Sequence, residues 1–215
     1  MEQKLKRNPI CYGIARNCTD FYILANHKIN VNGAENIPKT GTALIIPKHQ
    51  SIKDILLEGY VLKKYLNRSG NWIMKSSLPK CFELIGGIRV TRLKEVKKIK
   101  DKNNRREFLK KAKQTNQKAT EYLKWLYNAE ELIVMHVEGT RNYGAMNPIN
   151  MSLINHTKKI KDESGIDVPL ILMGIEYEGM KKFRSPINVN IKQIDWNKDN
   201  LEQTISNELA GLSNL

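Results

Sequence analysis

At 215 residues the chain suits one domain with a sizeable core, since domains commonly span about 50 to 250 residues. It carries 36 Lys and Arg against 22 Asp and Glu, a net charge of +14, which calls for an anionic partner: nucleic acid, a membrane surface or a phosphorylated substrate. Aromatic residues make up 7% and do not interleave with arginine, and no zipper or zinc-finger spacing occurs, so nucleic acid is not expected and lipid or phosphate is favoured.

Cys11, Cys18 and Cys81 form neither a CxxC unit nor an even disulfide set, and read as reduced thiols of a cytoplasmic protein with no metal site. No run reaches the roughly 18 apolar residues that span a bilayer. The basic start Lys4-Leu5-Lys6-Arg7 leads into a segment broken by Arg16, Asn17 and Asp20, so a secretory signal is not expected there.

Residues 1–27 read as an N-terminal amphipathic segment. Pro9 opens a helix to Ala25 with Ile10, Ile14, Cys18, Phe21 and Ala25 on one side. Capping the core is the first expectation for that side, and membrane contact the second. Residues 28–215 follow as the main domain. Lys28 to Asn32 alternates as a strand, Gly33 to Pro38 turns, and Thr42 to Ile46 forms a second strand. A helix from about Ser51 to Leu66 precedes strands at Asn71 to Met74 and Ile85 to Thr91. The segment 93–116 is strongly basic, with ten basic and three acidic residues between Lys94 and Lys113. It reads as a mobile stretch entering a helix from about Arg105 to Asn128, anchored by Tyr122, Leu123, Trp125 and Leu126. A solvated face and an attachment site for anionic lipid both fit that charge. Strands from Glu131 to Val137, Val168 to Ile175 and Ile187 to Ile191 follow, and Leu201 to Leu212 closes the chain as a helix. The alternation predicts a single α/β domain: a mostly parallel central sheet flanked by helices, with the amphipathic helix at the N-terminus.

His49-Gln50-Ser51-Ile52-Lys53-Asp54 lies where the second strand passes into a helix. Neutral imidazole accepts a proton near neutral pH, and a nearby carboxylate fixes its tautomer and stabilises the imidazolium. Ser51-x-x-Asp54 also matches a capping box, which gives Asp54 a competing structural task. Two further strand ends carry polar groups: Gly87 to Arg92, and Glu138-Gly139-Thr140-Arg141. Such ends converge on one crevice in an open α/β sheet. Arg92 and Arg141 offer forks for phosphate oxygens, Gly139 admits close backbone approach, and Glu138 suits a hydroxyl or an arginine. A buried ion-pair lattice without substrate contact is the alternative.

His49-Gln50-Ser51-x-x-Asp54, Gly87-Ile88-x-Val90-x-Arg92, Glu138-Gly139-Thr140-Arg141 and Val168-Pro169-Leu170 occur in the order of four blocks of the glycerophospholipid acyltransferases, a family the chain resembles over roughly residues 9–190. Lys75 resembles a family lysine between the first two blocks. The resemblance implies acyl transfer from a thioester, on coenzyme A or acyl carrier protein, to the hydroxyl of a lysophospholipid, with 1-acylglycerol-3-phosphate as the first expected acceptor and phosphatidic acid as product. It implies His49 as base and Asp54 as its orienting acid. Lys75 becomes an oxyanion candidate, and Arg92, Glu138, Gly139, Thr140 and Arg141 become the phosphate site. No cofactor or metal is implied, and the protein is expected peripherally on the cytoplasmic side of an anionic membrane. The alternatives are another lysolipid or amine-bearing acceptor, or a non-catalytic basic module that binds membrane or nucleic acid.

The chain departs from the family pattern in four places. Lys48 stands in place of the usual asparagine, where its charge disfavours protonation of His49 or helps bind the donor's phosphates. His136-Val137 replaces Phe-Pro, with His136 expected to be satisfied in or behind the core. Asn147-Pro148-Ile149-Asn150 lies where a Lys-Gly pair is usual, and the basic stretch between the second and third blocks is longer than usual. His27 and His156 carry no motif.

Overall fold

A computed structural model describes residues 6–92, 95–96, 99–178 and 184–215. Seven strands form one sheet: β1 (Lys28–Asn32), β2 (Ala43–Pro47), β3 (Gly70–Lys75), β4 (Gly87–Val90), β5 (Leu132–Val134), β6 (Leu170–Tyr177) and β7 (Pro186–Ile194). Their order across the sheet is β1-β7-β6-β2-β5-β3-β4. The five strands from β6 to β4 are mutually parallel. β7 runs antiparallel to β6 and carries β1 parallel on its outer edge. The expected mostly parallel α/β domain is therefore present.

The central strand β2 is buried at every position. Because side chains alternate across a strand, Leu44 and Ile46 enter one core and Ala43 and Ile45 the other. The first core is closed by α3 (Lys102–Asn128), α4 (Ser152–Ser164) and α5 (Leu201–Leu212), through Leu123, Leu126, Ile154, Ile160, Ile205 and Leu209. The second is closed by α2 (Lys53–Leu66) through Leu57, Tyr60 and Val61, with Ile23 of α1 (Pro9–Asn26).

Three outcomes differ from the sequence reading. The apolar side of α1 does not cap the core: α2 already fills that face of the sheet, and α1 buries only Ile23. Ile10, Ile14 and Phe21 are left 73%, 61% and 77% exposed. Helix α3 begins at Lys102, capped by the Asp101 carboxylate on the Asn104 N–H, so most of the basic segment 93–116 is the outer half of one long helix. Residues 93–94 and 97–98 of that segment lie outside the described residues. Helix α4 is absent from the sequence reading altogether.

Candidate active site

All five parallel strands deliver residues to one end of the sheet, beyond their C-terminal ends, where open α/β sheets place their ligands. His49 follows β2, His136 and Glu138 follow β5, Arg92 follows β4, Lys75 ends β3, and Tyr177 ends β6.

The His49 Nδ1 lies 3.2 Å from Asp54 Oδ2. Asp54 is fully buried, and its carboxylate collects further donors: the backbone N–H groups of Gln50 at 2.6 Å and Ser51 at 2.7 Å on Oδ2, and the Tyr177 hydroxyl at 2.5 Å on Oδ1. Burial, with the Asp54 and Glu58 carboxylates nearby, pushes the Tyr177 phenol far above its ordinary pKa, so it remains a donor. The structural task that the capping-box spacing gave Asp54 is present alongside its contact to the imidazole: it reaches back to the N–H groups ahead of α2 while it faces His49. Ser51 Oγ accepts only a 3.3 Å bond from the Lys53 N–H. One carboxylate therefore fixes both the helix start and the imidazole. Its bond to Nδ1 makes that nitrogen the N–H donor, which leaves the Nε2 lone pair as proton acceptor. Among the described residues Nε2 has no hydrogen-bond partner.

The loop after β5 grips the backbone of His49. Glu138 Oε1 accepts the His49 N–H at 3.1 Å, and Asn142 N–H donates to the His49 carbonyl at 2.9 Å. Lys48 Nζ, fully buried, lies 2.9 and 2.7 Å from the two Glu138 oxygens and donates to the carbonyls of Asn142 and Ala145. Glu138 Oε2 also accepts the Asn147 N–H at 2.9 Å. Among the described residues the Glu138 oxygens thus take three donors, and the side chain holds the backbone on both sides of the turn. Lys48 is equally engaged, so its charge is neutralised in place and does not extend toward a donor's phosphates.

Gly139 sits at φ +69°, a conformation that favours glycine, and its carbonyl accepts from Arg92 Nη1. The backbone of Thr91, just before Arg92, is bracketed by Asn116 of α3, which accepts from its N–H at 2.8 Å and donates to its carbonyl at 3.0 Å. The second and third blocks are thereby joined, with Arg92 half-buried, and Thr140 and Arg141 exposed. Lys75, at the same end of the sheet, is engaged by another partner: its Nζ is 3.4 Å from the Glu95 carboxylate, and its side chain is half-exposed.

Glu58 and Tyr177 escaped the sequence reading, and His136 was expected only as a satisfied histidine in or behind the core. The His136 ring stacks on His49, with centroids 4.0 Å apart and planes 28° from parallel. His136 Nε2 is 2.8 Å from Glu58 Oε1, and Glu58 Oε2 accepts from Trp72 Nε1 at 2.8 Å. Burial opposes a proton on His136, but Glu58, Asp54 and Glu138 outweigh it and hold its pKa above 6.5. Tyr177, Glu58 and Asn147 form no local motif with His49; only chain folding brings them there. A surface hollow of about 500 Å³ lined by Lys161, Asp167, Val168 and Trp196 lies at the opposite end of the sheet, by the start of β6, and contains none of the motif side chains that surround His49.

The acyltransferase family model matches residues 28–172, two-thirds of the chain, and this span contains every one of the site residues except Tyr177. The chain belongs to the acyltransferase family. Among solved structures, this acyltransferase is similar in fold to the 1-acyl-sn-glycerophosphate (LPA) acyltransferase PlsC from Thermotoga maritima, with a TM-score of 0.55 and 16% identity over 96% of this chain and 78% of that one. A search of curated proteins gives no significant match.

Proposed function

We propose that this acyltransferase moves a fatty acyl group from an acyl-coenzyme A or acyl-carrier-protein thioester to the free hydroxyl of a lysophospholipid, in the first instance 1-acylglycerol-3-phosphate, giving phosphatidic acid. The observation that carries the reading is the His49–Asp54 pair, with His49 Nε2 unpaired beyond the strand ends and Arg92 and Arg141 nearby in the joined blocks.

The chemistry follows from the tautomer. Nε2 removes the acceptor hydroxyl's proton as that oxygen attacks the thioester carbonyl, and Asp54 stabilises the imidazolium. The tetrahedral oxyanion collapses, breaking the carbon–sulfur bond, and His49 returns the proton to the thiolate. The thioester is already activated, so no protein nucleophile is required. Arg92 and the exposed Arg141 are the permanent charges suited to the glycerol phosphate, with the Gly139–Thr140 backbone between them. Lys75, engaged by Glu95, is a weaker candidate for the oxyanion than it was from sequence.

An acyl chain in an acceptor lipid requires access to a bilayer surface. Among the described residues no helix is long and apolar enough to cross a membrane. The outward apolar side of α1, beside Phe82 and Leu84, supports peripheral attachment of a chain whose net charge of +14 favours anionic lipid.

The test is release of free thiol from acyl-coenzyme A and acyl carrier protein donors against a panel of lyso-acceptors and amines. Turnover with 1-acylglycerol-3-phosphate that vanishes in His49→Ala, with vesicle binding retained, is expected. Equal rates for wild type and His49→Ala would refute the catalytic assignment. Strong, salt-sensitive vesicle binding without turnover on any acceptor would favour a binding module.

A further inference from the structure

His136 and Glu58 stand beside the His49–Asp54 pair as a second histidine–carboxylate pair, ring against ring. We propose that this second pair holds the proton nearest to His49, keeping the His49 ring neutral and extending its competence as a base to lower pH; the proposal rests on the reading of His49 as the general base.

The two carboxylates are not equivalent. Asp54 already accepts from two backbone N–H groups and the Tyr177 hydroxyl, and lies 3.2 Å from its imidazole. Glu58 is 1% exposed, has among the described residues only the Trp72 indole as a further donor, and lies 2.8 Å from His136. The less satisfied carboxylate at shorter range binds the proton more strongly.

The other charged groups agree with that assignment. Asp54 and Glu58 face His136 from α2, Glu138 faces it from the loop after β5, and His49 faces it from the turn after β2. Of the nearby cations, Lys48 is bound by Glu138 and Arg92 donates to the Gly139 carbonyl. β3 contributes the neutral Trp72, and β6 the neutral Tyr177. Arg141 is exposed and screened by water, so among the described residues the three buried carboxylates outnumber the one buried cation, Lys48, around the two rings, which favours a proton on His136. A second proton, on His49, would place two imidazolium rings face to face at 4.0 Å. In turnover His49 takes the hydroxyl proton only transiently and passes it to the leaving thiolate. The like charge beside it speeds that return, and His136 keeps its own proton throughout. His136 is a positioning residue in this scheme, since it acts through His49.

The experiment is the pH profile of kcat/KM by thiol release for wild type, His136→Phe and Glu58→Gln, with His49→Ala as reference. Phenylalanine keeps a ring against His49 without charge. Glutamine keeps a hydrogen bond to His136 without the charge that retains its proton, and remains readable if His136→Phe fails to fold. Both variants are expected to lose about ten-fold more rate at about pH 6 than at about pH 8.5, as the acid limb moves up by about one unit. A nitrogen NMR titration of the imidazoles in resting wild-type protein is expected to show His136 taking its proton first. Unchanged profile shapes, or a loss uniform in pH, would overturn the proposal, as would a titration in which His49 protonates first. Wild-type turnover in His49→Ala would sink the base assignment instead, and the titration would still decide which ring is charged.

Discussion

Lys48 Nζ lies within 2.9 Å of both oxygens of Glu138, and neither side chain reaches water. The pair joins the first and third sequence blocks. Glu138 also holds the His49 N–H, so the position of His49 depends on an ion pair one residue away. Removing one partner of a buried pair leaves an uncompensated charge, and Lys48→Ala is expected to cost about 3–5 kcal/mol. Chemical denaturation checks the cost. A double-mutant cycle with Glu138→Gln is expected to show strong coupling, and additive effects would show that the two side chains act independently.

Among the described residues Tyr177 supplies the one side-chain hydroxyl that binds Asp54. Tyr177→Phe keeps the packing and leaves Oδ1 without that donor, at an expected cost of about 1.5–3 kcal/mol, the range for hydrogen bonds to charged groups. kcat is expected to fall with stability, because the same carboxylate orients His49. Denaturation and thiol-release rates measure both; an unchanged kcat would separate Asp54's structural role from the imidazole.

Arg141 is exposed, and no carboxylate pairs with it among the described residues, whereas Arg92 is tied to the Gly139 carbonyl. Arg141→Ala is therefore expected to leave stability within about 0.5 kcal/mol, as exposed substitutions usually do. Its effect falls on KM for a phosphate-bearing acceptor, with a smaller effect on kcat. Arg92→Ala is expected to damage both, because it also releases the 138–147 loop. Initial-rate kinetics over acceptor concentration distinguish the two.

The strands were legible because the sheet interior leaves a direct signature: Ala43-Leu44-Ile45-Ile46 and Leu170-Ile171-Leu172-Met173 are apolar on both faces. Helix α4 was not, although Ile154, Thr157 and Ile160 lie at helical spacing and Gly165 closes it at φ +68°, because polar residues surround that narrow stripe. The apolar periodicity of α1 was visible, but periodicity does not say which way a stripe faces. At the site, the His49–Asp54 bond was readable from a local spacing across one turn. Glu58, His136 and Tyr177 come from α2, the end of β5 and the end of β6, and their meeting is a product of strand order. The Lys48–Glu138 pair has the same origin, since adjacent β2 and β5 bring the first and third blocks together.

The exposed side of α1 carries its own prediction. Ile14 and Phe21 contribute little to the fold at 61% and 77% exposure, so Ile14→Ser with Phe21→Ser is expected to leave the melting temperature nearly unchanged. Sedimentation with anionic vesicles is expected to fall sharply, and activity on vesicle-borne acceptor with it, while activity on a dispersed short-chain acceptor persists. Equal vesicle binding by the variant and wild type would assign attachment to the basic half of α3.

The His136–Glu58 pair also links stability to pH. Burial opposes the proton on His136, yet Glu58 with Asp54 and Glu138 raises its pKa in the folded state above the ordinary 6.5. The folded protein therefore binds this proton more tightly than the unfolded chain. The resulting stabilisation is complete below about pH 6.5 and is lost as pH rises through the higher folded value. Glu58→Gln removes the largest favourable charge, so the wild-type advantage over this variant is expected to shrink as pH rises from mildly acidic to alkaline. His27 has the opposite sign: burial and the Lys53 charge lower its pKa, so acidification below 6.5 costs stability there. Differencing wild type against Glu58→Gln at each pH cancels that contribution. Thermal melts of the two proteins across the range read the result, and an advantage that grew with pH would mean that His136 is neutral in the fold.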